Sequence, residues 1–476
     1  MPASVGQSWA SHRQMMRMRF VELFGLVVAA LIVQGAGAQG PVVVGYLPQW
    51  GMYGTPPWTA KALVTNGSVR LLDQIDYSQA AIVHGRCALA DPLADVQQGY
   101  TAANSVDGTA DAGVAAGATP GAGAAAPLRG ELHQLAELHR MYPRIRMVIS
   151  IEGKAAAFAD AAQPGKRVAF VASCLDTFLR GNLQPELGAA GARAPGLFTG
   201  IDVDWEYPNG PAAGDGSTQG ANYTALLVEF RKQMDAYAGR ESVTGSVADG
   251  EGAEGTVTKS VAEGKGRRSG QGVARNREPL RPLLTIAAGP GMRRYPGVDW
   301  RLVAQTVDQV GLMTYDYNGP WQKTTGMVAP LYAVAGQEGE SGNIDATVQA
   351  YEAAGVPAAE LLLGVPLYGY HWTGVKKAGA QHGLGMMGEP DHEDVHDAVI
   401  AQMPAAHTGS GKLFRIEPGE TPWIYDGDNF WSFDDVVSAR AKAQYAREQG
   451  MGGVMLWHLG EDTVNGALVK AVAAGR

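Results

Sequence analysis

The sequence predicts an α/β fold, a closed (β/α)8 barrel of the TIM type, on three observations. Eight short apolar runs recur along the chain, and helix-length amphipathic segments separate them. Several runs are almost continuously apolar, as strands of a parallel sheet covered on both faces must be. Strand alternating with helix builds a parallel sheet. Eight such units suit closure into a barrel, which takes roughly 250 residues or more. A doubly wound open sheet is the alternative that the same alternation admits.

In order, the runs are Val42–Leu47, Gln79–His84, Arg146–Ile151, Gly200–Glu206, Leu283–Ala288, Gln309–Tyr315, Leu361–Tyr368 and Gly453–His458. The amphipathic stretches include Gly130–Met141, Ala221–Ala238 and Phe433–Gln449. Three segments interrupt the repeat. Ala102–Ala126 is rich in Ala and Gly. Gly239–Arg281 is rich in Gly, Ser, Lys and Glu, with almost no bulky apolar residue, and reads as a low-complexity insertion. It falls between a helix and the next strand, away from the strand ends where barrel sites lie. His371 to Asp426 reads as a small insertion between strand 7 and helix 7, on the functional face. Beyond the eighth strand there is room for one helix and no appended module.

Composition narrows the function. A 46% hydrophobic content supplies a large core and argues against disorder. A net charge of −9 argues against nucleic acid or an anionic membrane as the main partner, and suits a neutral ligand. At the N-terminus, Arg13, Arg17 and Arg19 precede an apolar stretch from Phe20 to Val33, then Ala36-Gly-Ala38. Residues 1–38 therefore read as a signal peptide and 39–476 as a soluble, secreted chain. A signal anchor is the alternative. Cys87 and Cys174 make no disulfide framework and no zinc spacing. One disulfide and two buried thiols both remain open.

The most informative run is Gly200-Ile-Asp-Val-Asp-Trp-Glu-Tyr207. On a strand, Asp202, Asp204 and Glu206 share one face, and Ile201, Val203 and Trp205 share the other. Successive carboxylates lie ~7 Å apart by strand rise, a gap that their side chains can close. Three carboxylates pointing into a barrel repel unless protons are shared, so at least one pKa must rise. Glu206 stands at the carboxyl end of the strand, where a raised pKa makes a general acid. An acidic strand facing solvent and a calcium site are the bland readings. The first conflicts with the parallel repeat. Calcium sites more often use loop carboxylates.

The run Phe198-Thr-Gly-Ile-Asp-Val-Asp-Trp-Glu-Tyr-Pro208 resembles the signature of family 18 glycoside hydrolases, the chitinases. Gly45-Tyr-Leu-Pro-Gln-Trp50 resembles that family's first strand. Met313-Thr-Tyr-Asp-Tyr-Asn-Gly319 with Trp321, Gly364-Val-Pro-Leu-Tyr-Gly369 and Gly452-Gly-Val-Met-Leu-Trp457 resemble the sixth, seventh and eighth. The resemblance implies retaining hydrolysis without an enzymic nucleophile, an exception to the two-carboxylate scheme. It makes Glu206 the acid and base, Asp204 the partner of a substrate acetamido N–H, and Asp202 a proton reservoir. Tyr315 then donates to the acetamido oxygen, and Asp316 and Met313 line the same subsite. Trp457 forms an apolar floor, and Tyr46 and Ser150 hydrogen-bond Asp202. Tyr207, Trp50 and Trp321 complete the substrate-binding set. His458 points outward as a structural residue.

Two departures from the family pattern stand out. Thr199 occupies a position where the family has Asp, which weakens support at the base of the carboxylate network. Ser150-Ile-Glu-Gly-Lys154 replaces Ser-x-Gly-Gly-Trp, so Glu152 adds an inward charge that raises neighbouring pKa values or needs a basic partner, for which Lys154 is a candidate. The expected protein is a secreted, monomeric chitinase cleaving β-1,4 links between N-acetylglucosamine units. It needs no metal and no cofactor, and binds neither nucleic acid nor a membrane once its signal is removed. A family 18 hydrolase acting on N-glycan cores or peptidoglycan, and an impaired chitin-binding lectin, are the alternatives.

Overall fold

The apolar runs pair in parallel because each is covered on both sides, by helices outside and by side chains filling a barrel inside. The structure is a computed structural model describing residues 40–55, 57–111, 127–210, 216–248, 281–335, 342–376, 382–391, 395–396 and 412–476. The expected signal peptide, most of 239–281 and part of 371–426 lie outside the described residues.

Strands β1 (Val42–Pro48), β2 (Gln74–Val83), β3 (Arg86–Leu89), β4 (Arg146–Lys154), β5 (Gly200–Glu206), β6 (Leu283–Ala288), β7 (Gln309–Leu312) and β8 (Leu361–Pro366) follow in order. An insertion carries β9 (Tyr368–Thr373), β10 (Glu389–Pro390), β11 (Val395–His396), β12 (Lys412–Ile416), β13 (Thr421–Tyr425) and β14 (Phe430–Ser432). Strand β15 (Gly453–Trp457) comes last. Helix α1 (Ala60–Asn66) precedes β2, and α2 (Gly130–Met141) precedes β4. Helices α3 (Ala155–Ala161) and α4 (Arg167–Cys174) precede β5, and α5 (Gly216–Ala248) follows it. Helices α6 (Trp300–Ala304), α7 (Ile344–Ala354), α8 (Val436–Glu448) and α9 (Ala467–Gly475) complete the outer layer.

The sheet closes in the order β1-β2-β4-β5-β6-β7-β8-β15, with β15 pairing back to β1 and every one of these pairs parallel. This is the (β/α)8 barrel, and closure excludes the open sheet. Strand β3 folds back antiparallel on β2 as a hairpin. The insertion forms a second, antiparallel sheet along β10-β9-β14-β13-β12, with β11 also on β9. It lies between the seventh barrel strand and α8, and runs from Tyr368 to Ser432, wider than the expected 371–426.

Two of the differences from the expected strand bounds bear on the site. The second begins at Gln74, not Gln79. Gln74, Asp76 and Ser78 face inward and are buried, while Ile75 and Tyr77 pack in the outer core. That half of the strand is therefore polar in sequence. The sixth ends at Leu312, not Tyr315. There the Thr314 hydroxyl takes over from the backbone, donating to Gly364 O and accepting from Gly364 N, both at 2.8 Å.

Outside the barrel, Trp205 is fully buried and stacks on Phe158 with centroids 5.4 Å apart. Burying each such outward side chain contributes about 2–3 kcal/mol. Cys87 on β3 and Cys174 on α4 form a disulfide, Cα–Cα 4.8 Å, across a separation of 87 residues. This settles the open choice at the cysteines. A cross-link over so long a loop is worth about 4–5 kcal/mol on the chain-entropy account. No described helix is long and apolar enough to cross a membrane.

Candidate active site

Strand register assembles the site row by row. Ser78, Ser150, Asp202 and Thr285 stand level across β2, β4, β5 and β6. Glu152 and Asp204 form the next row, and Lys154 and Glu206 the next, at the carboxyl end. Side chains two residues apart share a face, so the acidic face of β5 points into the barrel as its alternation requires. Ile201, Val203 and Trp205 point out into the helix layer.

Asp202 is fully buried, and three hydroxyls satisfy it. Ser150 donates at 2.8 Å and Tyr46 at 3.1 Å to Oδ2, while Thr285 donates at 2.7 Å to Oδ1. Burial still raises its pKa, against these donors. Asp76, level with Tyr46 on the neighbouring strand, also lies in this buried layer and takes a 2.7 Å bond from Gln74 Nε2. Its pKa is raised well above normal by burial first and by Asp202 second.

Asp204 differs. It is 5% exposed, and its Oδ1 is buried without a hydrogen-bond partner. Burial raises its pKa far above the ordinary range, and Glu206, Glu152 and Asp202 add to the rise. An orphaned buried carboxylate oxygen costs about 1–3 kcal/mol or more, so it marks a place prepared for a donor. The three β5 carboxylates make no hydrogen bond to one another. The gap left by strand rise is not closed here, and the hydroxyls around Asp202 compete for it.

Glu206 reaches the open end of the barrel. Its side chain is exposed to the cleft, yet the neighbouring protein desolvates the carboxyl enough to raise its pKa. Asp316 raises it further; Tyr207 and Arg294 pull it down. The residue therefore keeps a proton at higher pH than an ordinary glutamate, as a general acid requires.

A cleft of about 450 Å³ opens beside Asp204 and Glu206. Tyr315, Trp457, Met313, Tyr46, Tyr207 and Asp316 line it, and Trp321 stands at its rim, 60% exposed. Tyr46 packs on Trp457 at 5.3 Å. Trp50 does not line this cleft; it sits behind Trp457, with rings 6.2 Å apart. Ser150 is below the cleft, at Asp202. His458 is half-buried under Trp50 and accepts from Gly460 N at 3.2 Å, a local structural role.

Several site residues escaped the sequence reading. The hydroxyls of Tyr368 and Tyr370 donate to Asp316 Oδ1 at 2.6 and 2.9 Å. These bonds hold Asp316 in a left-handed conformation, φ 58°, that non-glycine residues rarely adopt. Arg294 lies in the loop after β6, 4.5 Å over the Tyr207 ring. Gly289 makes room for that ring, since a Cβ there would meet it at 2.7 Å. Position was the available signal for Arg294, because loops at the carboxyl ends of barrel strands build the site.

Both departures have defined surroundings. Thr199 binds Met147 O and Arg146, not the carboxylates, because it precedes β5 on the opposite parity. Glu152 does face inward, but Ser78 donates to it rather than Lys154. Lys154 is exposed on the next row. Burial pushes Glu152 up to about 7, with help from Glu206 and Asp202. Among the described residues no group of three or more His, Cys, Asp or Glu is placed to hold a metal ion.

This barrel, with its acidic strand and aromatic cleft, has close counterparts among known proteins. The chain is 28% identical over 443 residues to chitinase C of Streptomyces lividans, covering 91% of this chain and 59% of that protein. Identity to chitinase 63 of Streptomyces plicatus is also 28%, over 445 residues, covering 91% and 60%. The chain thus spans about 60% of the length of these relatives. The catalytic domain of psychrophilic chitinase B from Arthrobacter TAD20 superposes with TM-score 0.72 at 28% identity, covering 92% of this chain and 95% of that one. The profile of glycosyl hydrolases family 18 matches residues 42–263 and 267–462, both the acidic strand and the cleft. The chain therefore belongs to family 18 of the glycoside hydrolases.

Proposed function

We propose that this glycoside hydrolase is an exported chitinase, cleaving β-1,4 links between N-acetylglucosamine units with retention. The orphaned Oδ1 of Asp204, beside Glu206 and Tyr315, carries the reading. A buried acceptor next to the acid suits an acetamido N–H. Glu206 protonates the glycosidic oxygen. The substrate's acetamido carbonyl oxygen attacks the anomeric carbon as the bond to the leaving sugar breaks, giving an oxazolinium ion. Asp204, giving up its proton to the Asp202 and Asp76 carboxyls below as the positive charge forms, accepts the N–H and stabilises that charge. Tyr315, held protonated by burial, donates to the acetamido oxygen and aligns it. Glu206, now ionised, takes a proton from the water that opens the ring. Asp202 and Asp76 share the proton load below. The Cys87–Cys174 disulfide suits an oxidising compartment and supports export.

Product analysis tests the substrate. Chitin oligosaccharides should be cleaved, with the β anomer formed first. An N-glycan core and peptidoglycan should be cut much more slowly. Preferential cleavage of either would replace chitin by that substrate.

Glu152 gives a pH prediction. Its ionised form repels the charge that Glu206 gains on losing its proton, so it holds the Glu206 proton to higher pH. Glu152→Gln should therefore move the basic limb of the kcat/KM profile to lower pH, by on the order of one unit. An unmoved basic limb would show that the two carboxyls do not interact.

A further inference from the structure

Glu206 and Asp204 stand between two cavities. The first is the aromatic cleft described above. The second, about 460 Å³, lies on the β2–β4 side, lined by Gln79, Glu152 and Lys154 with the aliphatic Ala81, Ile82 and Ala157. A chain whose bond lies over Glu206 places one sugar in each cavity. With the acetamido sugar on the Trp457 floor, the leaving sugar enters the second.

The two cavities offer different chemistry. The first has rings on which a sugar face can stack; the second has no aromatic residue among the described residues that line it. In its place are three carboxyls, Glu152, Asp204 and Glu206, against the single ammonium of Lys154. Asp204 is committed to the acetamido N–H in the chitinase reading, which leaves Glu152 as the carboxyl of the second cavity. Glu152 takes one hydrogen bond, from Ser78 to Oε1, and no ion pair with Lys154 forms among the described residues. Lys154 is exposed, and its flexible stem can turn to solvent. The inward surface of this cavity therefore lacks a cation. A neutral acetamido group supplies none; a protonated 2-amino group does.

We propose that the second cavity is a leaving-group site selective for an unacetylated glucosamine unit, recognised by the Glu152 carboxylate. The proposal rests on the chitinase reading, because it assigns the first cavity to the acetamido sugar. The ammonium takes the place of the proton on Glu152, and no bond is made or broken by this contact. Its natural polymer is a partly deacetylated chitin.

The test is hydrolysis of randomly, partly deacetylated chitin by the whole protein, with the sugars at the new chain ends identified. The leaving sugar becomes the new non-reducing end. Glucosamine should be enriched there about 1.5-fold to fivefold over its share in the polymer, the range of one partly exposed ion pair. Glu152→Gln should abolish the enrichment, and Lys154→Ala should increase it. New non-reducing ends that mirror the polymer, or favour N-acetylglucosamine, in wild type and in Lys154→Ala would overturn the proposal. So would enrichment that persists in folded Glu152→Gln. The new reducing ends report separately on the reading beneath. They should all be N-acetylated, and glucosamine among them would defeat the substrate-assisted mechanism whatever the other ends show.

Discussion

Glu206→Gln should lower turnover of chitin oligosaccharides by about 10²–10⁴-fold, the contribution of one positioned general acid. The change is close to isosteric and lies at the open end of β5, away from the buried rows. The three hydroxyls on Asp202 and the outward packing of Trp205 are untouched, so folding should be preserved. The cleft residues Tyr315 and Trp457 also remain, so oligosaccharide affinity measured by calorimetry should change little. The basic limb of the pH profile should disappear from the residual rate, since the group whose deprotonation causes it is gone. Turnover within a few-fold of wild type would remove Glu206 as the acid. Loss of binding with loss of rate would make it a ligand instead.

How much of this site was legible in the sequence depended on distance along the chain. The acidic face of β5 needs only strand alternation, so Asp202, Asp204 and Glu206 could be aligned from their spacing. The partners of Asp202 come from three other strands, β1, β4 and β6, and register between strands is not written in any local pattern. Thr285 was missed for that reason. Asp76 was missed for another. Gln74-Ile-Asp-Tyr-Ser78 is polar at every inward position, so a search for apolar runs starts the strand five residues late. The inside of this barrel is apolar on one side, with Val44, Leu362 and Met455, and polar on the other. Tyr368 reads in sequence as the end of the seventh strand and Tyr370 as a residue between it and the insertion. In fact β9 begins at Tyr368, within that strand's motif, and delivers both hydroxyls to Asp316. Glu152 was visible as a departure, but its neighbour was not. Lys154 is near it in sequence, and Ser78 is near it in register.

Asp204→Asn should produce the second large effect, and its rate and stability should move in opposite directions. Without the carboxylate, the oxazolinium charge loses its counter-charge. An amide nitrogen turned towards the acetamido N–H presents a donor to a donor. The cost should be about 10²–10³-fold in kcat, the scale of one preorganised electrostatic contact. Stability responds differently because the folded pKa of Asp204 lies far above its unfolded value. The folded state then holds a proton that the unfolded state releases above the ordinary carboxylate range. Wild-type stability is fully present below that range and falls as pH rises towards the folded pKa, by up to about 1.4 kcal/mol per pH unit. The asparagine variant has no such group. Its melting temperature should match wild type near pH 4 and exceed it increasingly towards neutral pH. A residue that merely supported the fold would lose rate and stability together. Equal melting temperatures across the range would show that Asp204 titrates normally. A stabilised variant that kept its rate would leave the orphaned oxygen without a role in the reaction.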